Sequence, residues 1–444
     1  NEEALHWRLA LIDRAKYSVD LQYYLWYPED SARLILKRLF DAANRGVKVR
    51  LIVDDLLIID MDKGVAALDD HPNIEVRLFN PFAERESMFS RGMEGLEHLE
   101  KLNIRMHNKL IVADNQAAIL GGRNIGDHYF GLSKDYNFHD LDVLGFGEIA
   151  PQSSTIFDHF WNSDWVQVPF ALGEQPTKKQ IDKAVKKLYK KVEKSDRLNR
   201  FPIEPQDWSE QFSKLQDQLA PGFSTVIFDK VDDEEDVSQE MRDPISKLFQ
   251  AANNEILVVN AYIIPSGQTA IENIKKLIDR GVKIRVLTNS LESNDVAAVN
   301  SHYEEWRKPI LEVGAELYEM RADGKIKGQV VDTPPIESEF IGLHSKAMVV
   351  DRKLVFIGSM NFDPRSININ TEMGVVLYSP QLGEELARVI ERDMEPENSW
   401  QVLIDEDGDE YWKSSKGIEN SQPVRGFGQR IENVIFKMFP KEYY

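Results

Sequence analysis

The sequence predicts an α/β fold made of two tandem half-repeats facing each other across a pseudo-twofold axis, and three observations carry that expectation. A hexapeptide recurs: Arg45-Gly46-Val47-Lys48-Val49-Arg50 returns 235 residues later as Arg280-Gly281-Val282-Lys283-Ile284-Arg285. Around each copy, strand-like and helix-like stretches follow in the same order. Downstream of each copy lies a His-x-Lys-x-x-x-x-Asp motif, one at His107 and one at His344, trailed by a Gly-Gly or Gly-Ser pair and an asparagine.

The first half opens with an apolar stretch, residues 19–26, whose aromatic tail (Tyr23, Tyr24, Trp26) reads as the end of a strand. Residues 31–44 carry apolar side chains at helical spacing. Gly46 ends that helix, because glycine tolerates the left-handed backbone of a C-terminal cap. Strands follow at 47–53 and 74–79. The second half repeats the series with strand 256–264, helix 268–279, a stop at Gly281, and strands 282–287 and 315–320. Each motif then occupies a strand, 106–113 or 343–350. It turns at Asp114-Asn115-Gln116 or Asp351-Arg352-Lys353 and returns at 118–120 or 355–357. The halves are placed at 1–168 and 222–444, the second ending in a C-terminal helix. A basic connecting segment at 169–221 contains Pro176, Pro202, Pro205 and Pro221.

At 444 residues the chain exceeds one ordinary core, and 42% hydrophobic with 29% charged residues describes a globular protein. No apolar run approaches the roughly 18 residues of a spanning helix. The chain begins at Asn1 without a methionine, which leaves room for an excised signal, lipid anchor or membrane segment. The absence of cysteine excludes disulfides, thiolate metal sites and a cysteine nucleophile. A net charge of −20 argues against a large nucleic-acid footprint, although a small anion pocket can still be locally positive.

Residues 177–197 form a basic stretch with Ile181, Val185, Leu188 and Val192 at helical spacing. It reads as a solvated helix over the interdomain surface, or alternatively as one lying on an anionic membrane. The stripe Ile431, Val434, Ile435 and Met438 in 427–439 reads as a helix packed on the body. Acidic runs at 232–236 and 405–410 lack calcium-loop spacing and read as solvated, with 403–412 a hairpin turning at Asp407-Gly408.

The motif spacing has a chemical logic. From each histidine, lysine is two residues on, aspartate seven and asparagine seventeen, and only these two of the nine histidines recur at matching places. Residues two apart on a strand share a face, so His107 projects with Lys109 and His344 with Lys346, while Leu110, Val112, Ala347 and Val349 fill the other face. The returning strands deliver Asn124 and Asn361, and the small Gly122 and Ser359 let backbone amides approach an anion. A histidine needs a partner to fix its tautomer. Asp140, 33 residues after His107, and Glu372, 28 after His344, are the candidates, with Asp142 as the alternative to Asp140.

One motif supplies a nucleophile without a separate acid; two motifs facing each other supply both. One imidazole attacks phosphorus, the other protonates the leaving alcohol and then activates an incoming alcohol or water. Lysines and asparagines hold the non-bridging oxygens, where charge builds in the transition state. Neither a metal nor another cofactor is required, and the sequence contains no metal-ligand cluster.

These motifs, with their trailing GGxN and GSxN, closely resemble the phospholipase D superfamily over nearly the whole chain. The resemblance implies phospholipase D-type α/β/α repeats in a two-lobed body with the site at the lobe interface. It further implies that His107 is the nucleophile and His344 the acid/base, with Asp114 and Asp351 structural. Segments 73–82, 105–109, 121–127, 157–163 and 342–351 are similar to bacterial cardiolipin synthases, and among them to the class C type without paired N-terminal membrane helices. That likeness implies a membrane-associated enzyme acting on phosphatidylglycerol and phosphatidylethanolamine, with no nucleic-acid partner. Peripheral contact with an anionic membrane through the basic helix, an excised anchor or a partner protein would each bring it to lipid. Hydrolysis to phosphatidic acid uses the same residues and is the alternative; a phosphodiesterase nuclease and a non-catalytic membrane module are the remaining readings.

Overall fold

The computed structural model describes residues 1–57, 62–82, 103–169, 176–232, 237–295, 297–426 and 429. The C-terminal stripe at 427–439 and most of the acidic run at 232–236 lie outside them.

The first half contributes strands β1 (Ser18–Tyr23), β2 (Lys48–Asp54), β3 (Ile74–Phe79), β4 (Leu110–Ala113), β5 (Ala117–Gly121), β6 (Tyr136–His139), β7 (Asp142–Phe146) and β8 (Val166–Gln167). All but β6 form one sheet in the order β7-β5-β4-β1-β2-β3-β8. The rest of the chain adds β9 (Phe223–Phe228), the short pair β10 (Lys230–Val231) and β11 (Val237–Ser238), and β12 (Glu255–Asn260), β13 (Lys283–Asn289) and β14 (Glu316–Met320). After these come β15 (Phe340–Leu343), β16 (Lys346–Val350), β17 (Leu354–Gly358), β18 (Met373–Tyr378), β19 (Ser399–Ile404), β20 (Glu410–Ser414) and β21 (Gly417–Glu419). A ten-stranded sheet runs β21-β20-β19-β14-β13-β12-β16-β17-β18-β9. Its centre, β17-β16-β12-β13-β14, has the same order as β5-β4-β1-β2-β3. In both sheets the strands before and after the helix that ends at the repeated hexapeptide pair in parallel, and the motif strand pairs antiparallel beside them.

Helices fill three layers around the two sheets. α1 (Glu2–Arg14), α2 (Asp30–Asn44) and α3 (Asp62–Asp69) cover the outer face of the first sheet. α4 (Ile149–Trp161) lies between the sheets. In the connecting segment, α5 (Lys178–Glu193) and α6 (Ser209–Gln216) precede the second half. There α7 (Arg242–Gln250), α8 (Gln268–Asp279) and α9 (Ala297–Glu312) cover the far face, the short α10 (Pro364–Asn368) follows β17, and α11 (Pro380–Asp393) joins α4 in the middle layer.

Period-two alternation explains why both sheets are buried on both faces. Along β4, Leu110 and Val112 enter the core shared by the two halves, while Ile111 and Ala113 enter the outer core of the first. Along β16, Ala347 and Val349 enter the shared core and Met348 and Val350 the far one. Such strands read as continuous apolar runs because neither face meets water.

The repeated hexapeptide is a helix stop. Gly46 and Gly281 adopt φ of 95° and 90°, and a Cβ at either would meet nothing, so only the backbone conformation demands glycine. Val47 N–H donates to Ala42 O and Gly46 N–H to Ala43 O, closing the last turn.

Two expectations need correction. The motif strands are shorter than 106–113 and 343–350. Regular pairing starts at Leu110, and the second stretch is split into β15 and β16 with His344 and Ser345 between them. The histidine backbones are engaged elsewhere, as described below. α5, meanwhile, does not cover the surface between the halves. Ile181 and Val192 are buried and Val185 and Leu188 half-buried, all turned inward as the helix packs against α2 and α3 of the first half. The hairpin at 403–412 forms as expected, with Gly408 at positive φ.

Asp114 and Asp351 lock the motif turns to the neighbouring strand. Asp114 accepts backbone N–H groups of Lys16, Tyr17 and Ser18 at 2.7 to 2.9 Å, and Asp351 those of Asn253, Asn254 and Glu255 at 2.8 to 3.0 Å. Burial alone would raise the Asp351 carboxyl, but these donors hold it below its ordinary value. Asp351→Ala and Asp114→Ala should therefore each cost about 1–3 kcal/mol in denaturant unfolding. Because the folded-state value of Asp351 is depressed, its contribution is present at neutral pH and is lost as pH falls below the usual carboxylate range.

Candidate active site

The two halves are joined by backbone pairing beside the motifs. β6 of the first half runs parallel to β15 of the second, with His139 opposite Leu343, and Met106 bridges Thr371. His344 N–H donates to His139 O at 2.9 Å, and His107 N–H to Thr371 O at 3.0 Å. Each histidine is thus docked on the residue that precedes the other half's carboxylate. One residue further on, the side chains meet crosswise: His107 Nδ1 lies 2.8 Å from Glu372 Oε2 and His344 Nδ1 2.7 Å from Asp140 Oδ2. A proton on Nδ1 donated to the carboxylate leaves Nε2 of each ring available for chemistry.

The alternative partner, Asp142, is engaged elsewhere. It pairs with Arg8 at 2.9 Å and Arg123 at 3.1 Å, and these guanidiniums outweigh its burial and hold its carboxyl down at about 2.

Gly122 and Ser359 have a different role from the expected anion cradle. Their N–H groups already donate to Leu141 O and Met373 O, because both residues continue into the neighbouring strand's ladder. Their small size serves the carboxylates. A Cβ on Gly122 would collide with Asp140 Oδ1, and Ser359 Oγ donates to Glu372 Oε2.

The lysines are fully buried beside the histidines. Lys109 Nζ donates to His107 O and Lys346 Nζ to His344 O, with Lys346 Nζ also 2.9 Å from His344 Nδ1. Burial, then the two lysine charges, holds both imidazoles well below their ordinary value. Burial likewise lowers Lys109 strongly and Lys346 to about 8, against the pull of Asp140 and Glu372. The carboxyls move the other way, Asp140 up to about 6 and Glu372 up to about 8, again chiefly by burial. An anion placed between the lysines would reverse much of this by favouring the protonated cations.

Asn124 and Asn361 are both buried. Asn124 donates to the Tyr129 hydroxyl at 2.9 Å and accepts from Leu25 N–H, whereas Asn361 Oδ1 has no partner among the described residues. Among the described residues no group of three or more His, Asp or Glu side chains is arranged to hold a metal.

Several neighbours escaped the sequence reading. Tyr24 sits edge-on to His107 at 5.0 Å, and Tyr129 and Phe138 pack on His344 at 5.2 and 4.8 Å. Asp54 accepts Met106 N–H at 3.0 Å and Asn289 accepts Leu343 N–H at 2.9 Å, so each anchors the residue just before a histidine. Their signal was available, since both stand four residues past the repeated hexapeptide.

Comparison with known proteins bears on the same residues. The family model described as "Cardiolipin synthase, PLD-like domain" matches residues 9–161 and 245–394. Cardiolipin synthase C of Escherichia coli K12 is 32% identical over 98% of this chain and 93% of its own. An uncharacterized protein of Helicobacter pylori J99 is 33% identical over 99% of this chain and 87% of its own. Among solved structures, a phosphatidylserine synthase of Haemophilus influenzae Rd KW20 shares the fold, with a TM-score of 0.60 at 16% identity over 88% of this chain and 85% of that one.

The crossed wiring has a measurable signature. In imidazole nitrogen NMR spectra, His107 and His344 should both appear as Nδ1–H tautomers. Gly122→Ala, which displaces Asp140, should disturb the His344 signal, and Ser359→Ala that of His107, each from the opposite half. Disturbance of the same-half histidine instead would contradict the pairing.

Proposed function

Because this chain belongs to the cardiolipin synthase, PLD-like domain family, we propose that it moves a phosphatidyl group between alcohols. It makes cardiolipin from phosphatidylglycerol and either phosphatidylethanolamine or a second phosphatidylglycerol. The observation that carries the reading is the crossed pair of histidine–carboxylate couples flanked by two buried lysines.

In the first step His107 Nε2 attacks the donor phosphorus. The P–N bond forms as the bond to the head-group oxygen breaks, and His344, protonated at both ring nitrogens once the anionic donor is bound, gives that oxygen its Nε2 proton. In the second step His344 takes a proton from the acceptor's hydroxyl, the new P–O bond forms, and His107 leaves unmodified. Lys109, Lys346, Asn124 and Asn361 bind the non-bridging oxygens. Asp140 stabilises the imidazolium that His344 must become, and Glu372 does the same for His107 as it bonds to phosphorus. Arg365, which adds to the positive field that keeps His107 neutral, supports His107 as the nucleophile. Asp114 and Asp351 hold the motif turns and take no part in the chemistry. No described helix is long and apolar enough to cross a membrane, so a peripheral enzyme fits these residues.

The deciding assay incubates the protein with phosphatidylglycerol, with and without phosphatidylethanolamine, and separates the lipid products. Cardiolipin is expected, with ethanolamine released when the latter is the donor; phosphatidic acid with no cardiolipin would establish hydrolysis instead. His107→Ala and His344→Ala should each lower turnover by several orders of magnitude with the fold intact, because the pair acts as one unit. Only an ionised carboxylate stabilises an imidazolium. Turnover should therefore rise with pH through about 6, as Asp140 ionises, and fall again around 8, as Lys346 loses the charge that holds the phosphate. Glu372→Gln should lower kcat by about a thousandfold.

A further inference from the structure

Seven of the sixteen residues of α5 are lysines, namely 178, 179, 183, 186, 187, 190 and 191, and Lys194 caps the helix. All eight are exposed. None forms an ion pair among the described residues, whereas the exposed Lys214, Lys230 and Lys275 each hold an acidic partner. In a chain of net charge −20, so many unneutralised cations on one helix are far from the average surface.

Folding does not account for them. The inward face of α5 and its Thr177–Gln180 capping box hold the helix in place, and neither uses a lysine. Pairs such as Lys183 and Lys187, Lys187 and Lys191, or Lys190 and Lys194 stand four residues apart, where like charges destabilise a helix. Lys187, Lys190, Lys191, Lys194 and Arg33 crowd around one shallow depression that also holds Asp30 and Ser195. Arg33 is the main cause of the lowered pKa of Lys191, an effect that Asp30, ion-paired with Arg33 at 2.6 Å, only partly offsets.

The position of the face matters as much as its charge. Ser195 Oγ donates to Asp30 at 2.6 Å, and Arg197 pairs with Asp127 at 3.2 Å. Two residues beyond Asp127, Tyr129 packs on the ring of His344. The lysine-rich end of α5 therefore borders the same end of the molecule as the paired histidines.

We propose that this face docks the protein electrostatically on a bilayer containing anionic phospholipid, the lysines among the head groups and no part of α5 entering the hydrocarbon. The row spans about 24 Å of helix and presents eight lysine point charges against two exposed carboxylates, Asp182 and Glu193, without exposed aromatic platforms of the kind that stack on nucleic-acid bases. It suits a plane of phosphates, and it brings the site to the surface where the proposed reaction finds its substrate. The orientation rests on that lipid reading; the docking itself is tested separately.

The full chain and the variant K187Q/K190Q/K191Q/K194Q are sedimented with phosphatidylcholine vesicles, with or without phosphatidylglycerol. Turnover of a short-chain, monomeric phosphatidylglycerol is measured in parallel. The wild type should bind only the anionic vesicles. The variant should bind them on the order of a hundredfold more weakly, high salt should release the wild type, and short-chain turnover should be equal in both. Equal vesicle binding by wild type and variant overturns the proposal. So does tighter binding of the wild type to an oligonucleotide or an acidic polypeptide than to vesicles at the same salt. Absence of short-chain turnover in the wild type would instead count against the proposed reaction, leaving the vesicle result to decide docking.

Discussion

The hydrogen bond from each histidine to the carboxylate of the opposite half is the contact on which the rest of the structure depends. A site wired within one half would let the lobes separate without losing it. Here, separation would strip His107 of Glu372 and His344 of Asp140, and with them the partners that fix each ring's tautomer. The parallel pairing of β6 with β15 and the bridge at Met106 and Thr371 put backbone bonds beside each side-chain bond. The shared core between the sheets then gives the lobes an apolar reason to stay together.

Burying two histidines, two lysines and two carboxylates in one place is costly, and the shifts show where the cost falls. Burial drives the carboxyls up and drives the imidazoles and lysines down, so the cluster tends toward its neutral forms. A phosphodiester anion between the lysines restores their charge and helps one histidine carry a second proton. The lysines and one imidazole become charged when the phosphate needs them, because the substrate supplies the missing counter-charge.

The pseudo-twofold is closest in the backbone and weakest in what surrounds each ring. Asp114 and Asp351, Asp54 and Asn289, and Gly122 and Ser359 occupy matching positions with matching contacts. Yet His107 meets Tyr24 and the field of Arg365, while His344 meets Tyr129 and Phe138. A duplicated scaffold with unlike surroundings is what two equal motifs need in order to take unequal roles. The charge distribution is similarly uneven. Acidic residues prevail over the chain as a whole, and α5 gathers lysines beside the end that holds the site.

The sequence by itself determined whatever is local or repeated. Alternating apolar residues predicted the strands, the glycines at 46 and 281 predicted the helix stops, and equal spacing in the two motifs singled out eight polar residues. The sequence also offered Asp140, with Asp142 as its alternative, and Glu372 as the orienting carboxylates, without saying which histidine each would serve. That assignment is a contact across more than 200 residues of chain, and only the packing of one lobe on the other creates it. The same packing interrupts the motif strands at the histidines, because their N–H groups pair with the opposite half. Strand pairing inside each lobe gives the amides of Gly122 and Ser359 to a neighbouring strand, where a sequence pattern suggested an anion. Periodicity records which face of an element is apolar. What that face meets, and whose carboxylate stands beside an imidazole, is decided only when the two sheets close on their common core.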